Sequence, residues 1–181
     1  MLKLVPLTMV DPKAVETLLD QAFGADRHGR TAYRVRDGTH ADPVLSFAAL
    51  DPAARDRLVA TIQCWPVRLA CDAGDVHPMT MVGPVAVVPT RQRDGIGKLL
   101  MIHMLAAAHD AGADPALMLI GDPGYYERFF GFSAAHTGGW RLPGPVERHR
   151  LLARGANVPD CAGELGPRLG SSDERFTLAG P

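Results

Sequence analysis

One segment constrains the fold more than any other: an apolar strand, a helix that begins at two glycines, and a second short apolar strand. Residues 79–88 are apolar enough for a central strand, residues 95–112 form the helix, and residues 116–120 form a short buried strand. A strand–helix–strand unit has parallel strands and a right-handed crossover. The chain is therefore predicted to build an α/β fold around a mixed sheet.

The strands outside this unit are predicted to be antiparallel. They cover residues 2–7, 44–50, 57–69 and 149–153. A first helix is predicted from clear end signals, since Asp11 is a good N-cap, Pro12 suits the first helical position and Gly24 follows the last apolar residue. Two further helices are predicted at residues 31–35 and between Asp122 and Gly131. Flanking helices on a mixed sheet are the expected architecture.

The chain length and composition indicate one globular domain. With 181 residues, 46% of them hydrophobic and 22% charged, the chain can bury a core of its own. We predict a domain over residues 1–154, and an irregular C-terminal tail over residues 155–181 that packs on it. Two roles for this tail stay open: it folds over a substrate cleft, or it joins a homodimer.

Charge and cysteine usage exclude several classes of function. A net charge of -1 lacks the basic excess of a nucleic-acid-binding protein. The apolar region 99–120 is interrupted by charged and histidine residues, so no membrane span is predicted. The cysteines are odd in number and form no C-x-x-C pair: Cys64, Cys71 and Cys161. This pattern predicts a cytoplasmic protein without a disulfide framework, and no spacing indicates a metal site.

The loop between the central strand and its helix indicates a phosphate-binding site. Two glycines, Gly95 and Gly97, open the helix, where backbone N–H groups and positive potential attract a diphosphate. The dinucleotide pattern G-x-G-x-x-G fails because the third glycine is replaced by Leu100. The P-loop pattern also fails, because Gln92 replaces its first glycine and Leu99 its hydroxyl residue.

The pattern that remains is [QR]-x-x-G-x-[GA] from Gln92 to Gly97, after a strand that ends Val-Val-Pro. It closely resembles the coenzyme-A-binding motif of the GNAT superfamily of N-acetyltransferases. A second segment, Asp-Pro-Gly-Tyr-Tyr from Asp122 to Tyr126, is similar to a bacterial subgroup of predicted N-acetyltransferases. The resemblance covers about residues 1–153.

This resemblance implies a fold, a co-substrate and its binding residues. The fold is that of the GNAT acyl-CoA N-acyltransferases, with a central mixed sheet splayed between its fourth and fifth strands. Acetyl-CoA is the implied co-substrate, and no metal is implied. The pantetheine arm would pair with the strand at Val85, Ala86 and Val87. The pyrophosphate would face the loop residues Gln92, Arg93, Asp94, Gly95, Ile96, Gly97 and Lys98.

The implied reaction is direct transfer of an acetyl group to a primary amine in a ternary complex. Tyr126 is the implied acid for the departing thiolate, and Tyr125, about 100° around the helix, remains its competitor. The base is left open among His77, Glu16, Asp20 and Cys64. The acceptor is a small molecule or a protein amine. Two alternatives stay open: a non-catalytic acyl-CoA-binding module, and an enzyme for longer acyl-CoA or acyl-carrier thioesters.

Overall fold

One mixed sheet forms the centre of the computed structural model, which describes residues 1–170. The strands of this sheet are β1 (Lys3–Pro6), β2 (Phe47–Asp51), β3 (Arg57–Cys71), β4 (Val76–Val87), β5 (Leu117–Ile120), β6 (Trp140–Arg141), β7 (Leu151–Arg154) and β8 (Gly163–Pro167). The main path runs β1–β2–β3–β4–β5–β7, while β8 pairs with β3 and β6 pairs with β8. The predicted α/β class is confirmed.

Four α-helices accompany the sheet within the described residues: α1 (Pro12–Phe23), α2 (Thr31–Val35), α3 (Ile96–Asp110) and α4 (Pro123–Phe130). The first helix ends as its sequence predicts. The Asp11 carboxylate accepts a hydrogen bond from the Lys13 N–H at 3.0 Å, and Gly24 closes the helix at a φ of 89°. No helix in this part of the chain is long and apolar enough to cross a membrane.

The sheet opens between β4 and β5. These two strands are parallel, but they pair only at Thr80 with Leu117 and at Met81 with Met118. Just beyond this contact, β4 carries two residues, Gly83 and Pro84, opposite a single residue of β3. A bulge of this kind bends its strand and redirects it. The sheet is therefore splayed between its fourth and fifth strands, as the resemblance implied.

The core lies on both faces of the sheet. On one face α1 and α3 pack fully buried side chains, among them Leu19, Leu100 and Met104, against the strands. The other face is covered by α2 and by the chain after α4, where Trp140 is completely buried. Both faces of the sheet are thus covered, and the opening between β4 and β5 is a gap between two of its strands.

The C-terminal region differs from the predicted irregular tail. Residues Gly163–Pro167 form β8, which pairs antiparallel with the C-terminal half of β3. A strand was not expected here because its sequence, GELGP, is rich in residues that strands disfavour. The approach is close: a Cβ on Gly163 would lie 2.4 Å from the Ala70 carbonyl oxygen. The last part of the predicted tail, residues 171–181, lies outside the described residues.

A disulfide joins Cys71 to Cys161, so the prediction that the chain lacks a disulfide is wrong. The two cysteines are 90 residues apart, and only the pairing of β8 with β3 brings them together. The sequence spacing carries no sign of this contact. His77 is their neighbour, with the three ligand atoms within 4.8 Å of one another. In the disulfide neither sulfur is a thiolate, the form that binds metals.

Reduction of this disulfide is expected to lower the free energy of unfolding by about 2–5 kcal/mol, because the bond closes a long loop of the unfolded chain. Urea unfolding with and without dithiothreitol measures the effect. A Cys71→Ser variant is the control, since dithiothreitol should not change its midpoint. Three free thiols in the unreduced, denatured wild-type protein would contradict the assignment.

Candidate active site

The loop before α3 has the backbone of an anion site. Arg93 and Gly95 both have positive φ, at 76° and 79°, which turns the chain sharply into the helix. The helix has no side-chain N-cap. Among residues 1–170, no hydrogen-bond acceptor meets the N–H groups of residues 95–98. Such free N–H groups at a helix N-terminus are suited to a phosphate.

Two charged side chains of this loop, Arg91 and Asp94, form ion pairs within the protein. The Arg91 guanidinium donates to the carboxylates of Asp51, at 2.9 Å, and Asp94, at 2.6 Å. These contacts tie the loop to the end of β2. They also neutralise Asp94, whose negative charge would otherwise oppose a phosphate. The main chain at Asp94 therefore remains a candidate for phosphate contact, while its carboxylate is occupied.

Two further cationic side chains of the loop and one from α4 lie near the N-terminus of α3. The Lys98 ammonium lies 4.3 Å from the centroid of the Phe129 ring, and the Arg128 guanidinium carbon lies 5.3 Å from the same centroid. Arg128 was not predicted, because no local spacing relates it to the glycine loop. Exposed Arg93 completes a group of three cations around the N-terminus of α3.

Gly95→Ala is expected to weaken, about tenfold, the binding of the acetyl-CoA that the sequence resemblance implies. A side chain at this positive φ costs about 1–2 kcal/mol and shifts the N–H groups that follow it. Calorimetric titration of the variant measures the affinity. Gly112→Ala is the matched control, because Gly112 also has a positive φ, at 67°, but ends the same helix. Equal affinity losses in the two variants would contradict the site.

A cavity of about 430 Å³ occupies the splay between β4 and β5. Its walls are the β4 segment at Gly83 and Val85, the end of β5, and Tyr126 of α4. Gly97 packs on the same strand, since a Cβ there would lie 3.6 Å from the Val85 side chain and 3.8 Å from that of Val87. Ala86 faces the core and is buried. Gly97 of the glycine loop and the cavity therefore both lie against Val85.

The structure distinguishes the two candidate tyrosines. Tyr126 lines the cavity, whereas Tyr125 does not and packs its ring against Tyr126 and Phe130. Burial raises the pKa of Tyr126 to about 12, so its hydroxyl is protonated and can donate a hydrogen bond at neutral pH. The Tyr126 ring also lies against Gly121, where an added Cβ would come within 2.4 Å of it.

None of the four candidate bases lines the cavity. Glu16 and Asp20 both accept hydrogen bonds from Arg27. Cys64 is completely buried, and desolvation raises its pKa far above the ordinary thiol value. His77 lies beside the disulfide at the other end of β4.

The carboxylates that do line the cavity are Asp122 and Glu147. Asp122 is occupied as the N-cap of α4, where it accepts from the Gly124 N–H at 3.0 Å. Glu147 is exposed and lies 3.8 Å from the Arg150 guanidinium. Sequence reasoning missed Glu147 and Arg150, because the chain between β6 and β7 has no periodic pattern that predicts its position.

The sequence matches the family described as the acetyltransferase (GNAT) domain over residues 6–135. This match covers well over half of the chain. It includes the glycine loop and the two strands, β4 and β5, between which the sheet opens. The chain belongs to the GNAT acetyltransferase family.

Known relatives agree with this assignment. An uncharacterized N-acetyltransferase of Streptomyces avermitilis is 30% identical over 140 residues, which cover 70% of this chain but 32% of that protein. The chain thus spans about a third of the length of that relative.

Two solved structures share the fold. The GNAT family N-acetyltransferase YhbS of Escherichia coli, in complex with CoA, has a TM-score of 0.67 and 20% identity, covering 93% of this chain and 89% of its own. A GNAT family acetyltransferase of Brucella melitensis, in complex with acetyl-CoA, has a TM-score of 0.62 and 22% identity, covering 93% and 96%. At these identities the similarity is evidence for the fold.

Proposed function

We propose that this chain is an acetyl-CoA-dependent N-acetyltransferase that transfers the acetyl group directly to a primary amine of a small molecule or a protein. The observation that carries the proposal is the cavity in the splayed sheet, which is lined by Tyr126 and by Val85, the strand residue against which Gly97 of the glycine loop packs. Membership of the GNAT family supports the reaction class. Two solved proteins of the same fold hold CoA or acetyl-CoA, which supports the co-substrate.

The co-substrate would extend along the site from loop to cavity. Its pyrophosphate would accept hydrogen bonds from the N–H groups of residues 95–98, with Arg93, Lys98 and Arg128 as counter-charges. Its pantetheine arm would follow the edge of β4 at Val85 to Val87, which β5 does not cover. An amide-bearing arm can pair with the N–H and C=O groups of such an edge. The thioester would then lie beside Tyr126.

The chemistry is a single acyl transfer within the ternary complex. The lone pair of the neutral amine attacks the thioester carbonyl carbon, and the new C–N bond forms as the carbonyl oxygen becomes an oxyanion. Backbone N–H groups of β4 would stabilise that oxyanion. The C–S bond then breaks, and the thiolate takes the Tyr126 proton. The amine proton leaves to water or Glu147 and is passed back to the Tyr126 phenolate, so the products are an amide and free CoA and Tyr126 is protonated again.

Much of the acceleration would come from alignment. Holding an amine and a thioester together in one cavity can supply about 7–11 kcal/mol of the barrier. The protonated Tyr126 hydroxyl adds general acid catalysis to a leaving group that needs one proton.

Calorimetric titration with acetyl-CoA tests the co-substrate, with desulfo-CoA and NADPH in parallel. One-site binding of the two CoA compounds without NADPH binding is expected. Release of free thiol is then followed over a panel of primary amines. If acetyl-CoA binds but no amine is acetylated, the result favours a non-catalytic acyl-CoA-binding module. If longer thioesters react faster than acetyl-CoA, the donor is a longer acyl-CoA or an acyl-carrier thioester. No CoA binding by folded protein would overturn the proposal.

A further inference from the structure

A buried arginine beside the cavity is held between two aromatic rings. The guanidinium carbon of Arg36, at the end of α2, lies 4.1 Å from the centroid of the Tyr33 ring and 4.0 Å from that of Trp65. The residue is 5% exposed. Aromatic rings attract a cation on their faces. The two rings therefore contact the faces of the planar guanidinium and hold it in place. Its N–H groups lie in the plane, along the edge of the guanidinium, and are not engaged by the rings.

Those N–H groups are largely unused by the protein. Arg36 donates one hydrogen bond, from Nη1 to the Gly83 carbonyl oxygen at 3.3 Å. Among residues 1–170, no carboxylate lies within 4.0 Å of it. The neighbouring Arg27 takes both Glu16 and Asp20. A guanidinium has five N–H donors, so this one retains most of its hydrogen-bonding capacity.

The burial of this charge has an electrostatic cost. Desolvation lowers the pKa of Arg36 to about 10, and the nearby Tyr33 hydroxyl and Glu16 carboxylate oppose this shift only in part. Arg27 is also buried, and its hydrogen bonds to Glu16 and Tyr33 oppose its desolvation and raise its pKa. A buried charge without a partner is unfavourable. An anion that enters the site would remove this cost.

Arg36 faces the cavity at the point where the splay begins. It lines the cavity together with Gly83, Tyr126 and Arg150. Gly83 lies four residues before Val87, the end of β4, so roughly 13 Å of strand separate it from the phosphate-binding loop. The guanidinium is thus placed at the acceptor end of the cavity and away from the coenzyme phosphates.

From this placement we infer that the acceptor is a small amine that also carries a carboxylate, which Arg36 binds through the free edge of its guanidinium. The inference rests on the proposed acetyl transfer and names the substrate class of the same site. A planar carboxylate matches the guanidinium edge with two parallel hydrogen bonds. Arg150 lines the same cavity, but its guanidinium lies 3.8 Å from the Glu147 carboxylate, so that of these two cations Arg36 is the one without a carboxylate partner among the described residues.

The carboxylate also sets where the amine can lie. With its carboxylate on Arg36 and its amine at the thioester beside Tyr126, the acceptor must span the distance between these two groups. The ω-amino acids glycine, β-alanine, γ-aminobutyrate and ε-aminocaproate sample this distance in steps of one or more methylenes. Each has an amide counterpart of nearly the same shape without the charge, which isolates the contribution of the carboxylate.

The test compares kcat/KM for each amino acid with that of its amide, corrected to the concentration of unprotonated amine. We expect at least one acid to exceed its amide by about 100-fold, since a charge-assisted bidentate contact is lost in the amide. Equal kcat/KM values for acids and amides would overturn the inference and leave the acetyltransferase proposal standing.

Variants of Arg36 test whether this residue causes the preference for the acid over its amide. In Arg36→Gln and Arg36→Lys we expect the acid-to-amide ratio of kcat/KM to fall at least tenfold, with the affinity for acetyl-CoA changed less than threefold. Arg34→Gln is the matched control: Arg34 is an exposed arginine on the same helix, does not line the cavity, and donates to the Pro143 carbonyl oxygen. An acid preference that survives in folded Arg36→Gln, which lacks the charge, would overturn the assignment.

The outcomes separate the two proposals. Failure to bind acetyl-CoA would overturn the proposed function. If acetyl-CoA binds but no amine is acetylated, calorimetric titration of the CoA complex with γ-aminobutyrate and its amide replaces kinetics. Tighter binding of the acid, lost in Arg36→Lys, supports the carboxylate site, and equal binding overturns it.

Discussion

Replacement of Tyr126 by phenylalanine is expected to lower kcat about 100-fold while the affinity for acetyl-CoA changes less than twofold. General acid catalysis contributes at least that factor, and the ring without its hydroxyl keeps its packing against Gly121. Single-turnover rates of thiol release and calorimetric affinities measure the two quantities. Because the pKa of Tyr126 is about 12, the wild-type rate should not fall through loss of this proton below about pH 11.

Tyr125→Phe is the control for this prediction. Tyr125 packs on the same helix, 5.0 Å from Tyr126 between ring centroids, but lies outside the cavity lining. We expect this variant to retain most of the wild-type kcat. A large loss in Tyr125→Phe with normal turnover in Tyr126→Phe would assign the acid to Tyr125 instead.

Removal of both partners of Arg27 is expected to lower the free energy of unfolding by about 3 kcal/mol. In the double variant Glu16→Gln, Asp20→Asn the Arg27 guanidinium stays buried, with 2% of its side chain exposed, and loses its two negative partners. The acceptors that remain for Arg27 are then the Tyr33 hydroxyl, 2.5 Å away, and the two neutral amides. Chemical denaturation at pH 7 measures the change.

The control removes two carboxylates that have no such role. Asp26 and Asp37 are exposed and lie in the same region of the chain. Among residues 1–170 neither is within ion-pair distance of a basic group. The double variant Asp26→Asn, Asp37→Asn should cost less than about 1 kcal/mol. Equal losses in both double variants would show that net charge, and not the Arg27 pairs, sets the stability.

Elements with local signals were predictable from the sequence. Helix α1 begins after Asp11 and ends before Gly24, and α4 begins after Asp122 and ends before Gly131, as the capping residues indicate. Strand β4 begins three residues before its predicted start. Its first residues, Val-His-Pro, lack apolar continuity, and their strand state comes from pairing with β3.

The features that the sequence did not reveal depend on contacts between distant segments. Strand β8, Cys161 of the disulfide and the cavity residues Glu147 and Arg150 all lie after α4, where irregular chain is placed by tertiary packing. In the sequence, Arg36 is one of three closely spaced arginines, with Arg30 and Arg34, that no local signal distinguishes. Only the structure shows that Arg36 is buried between two rings while Arg34 on the same helix is exposed.

The pairing of β8 with β3 has a consequence for synthesis of the chain. Strand β3 leaves the ribosome early, and the edge of its C-terminal half at Val67 to Cys71 is completed only by β8. Cys161, just before β8, follows Cys71 by 90 residues. At roughly 5–20 residues per second, this edge stays unpaired for roughly 5–20 seconds. During that interval the nascent chain presents an open strand edge to other chains.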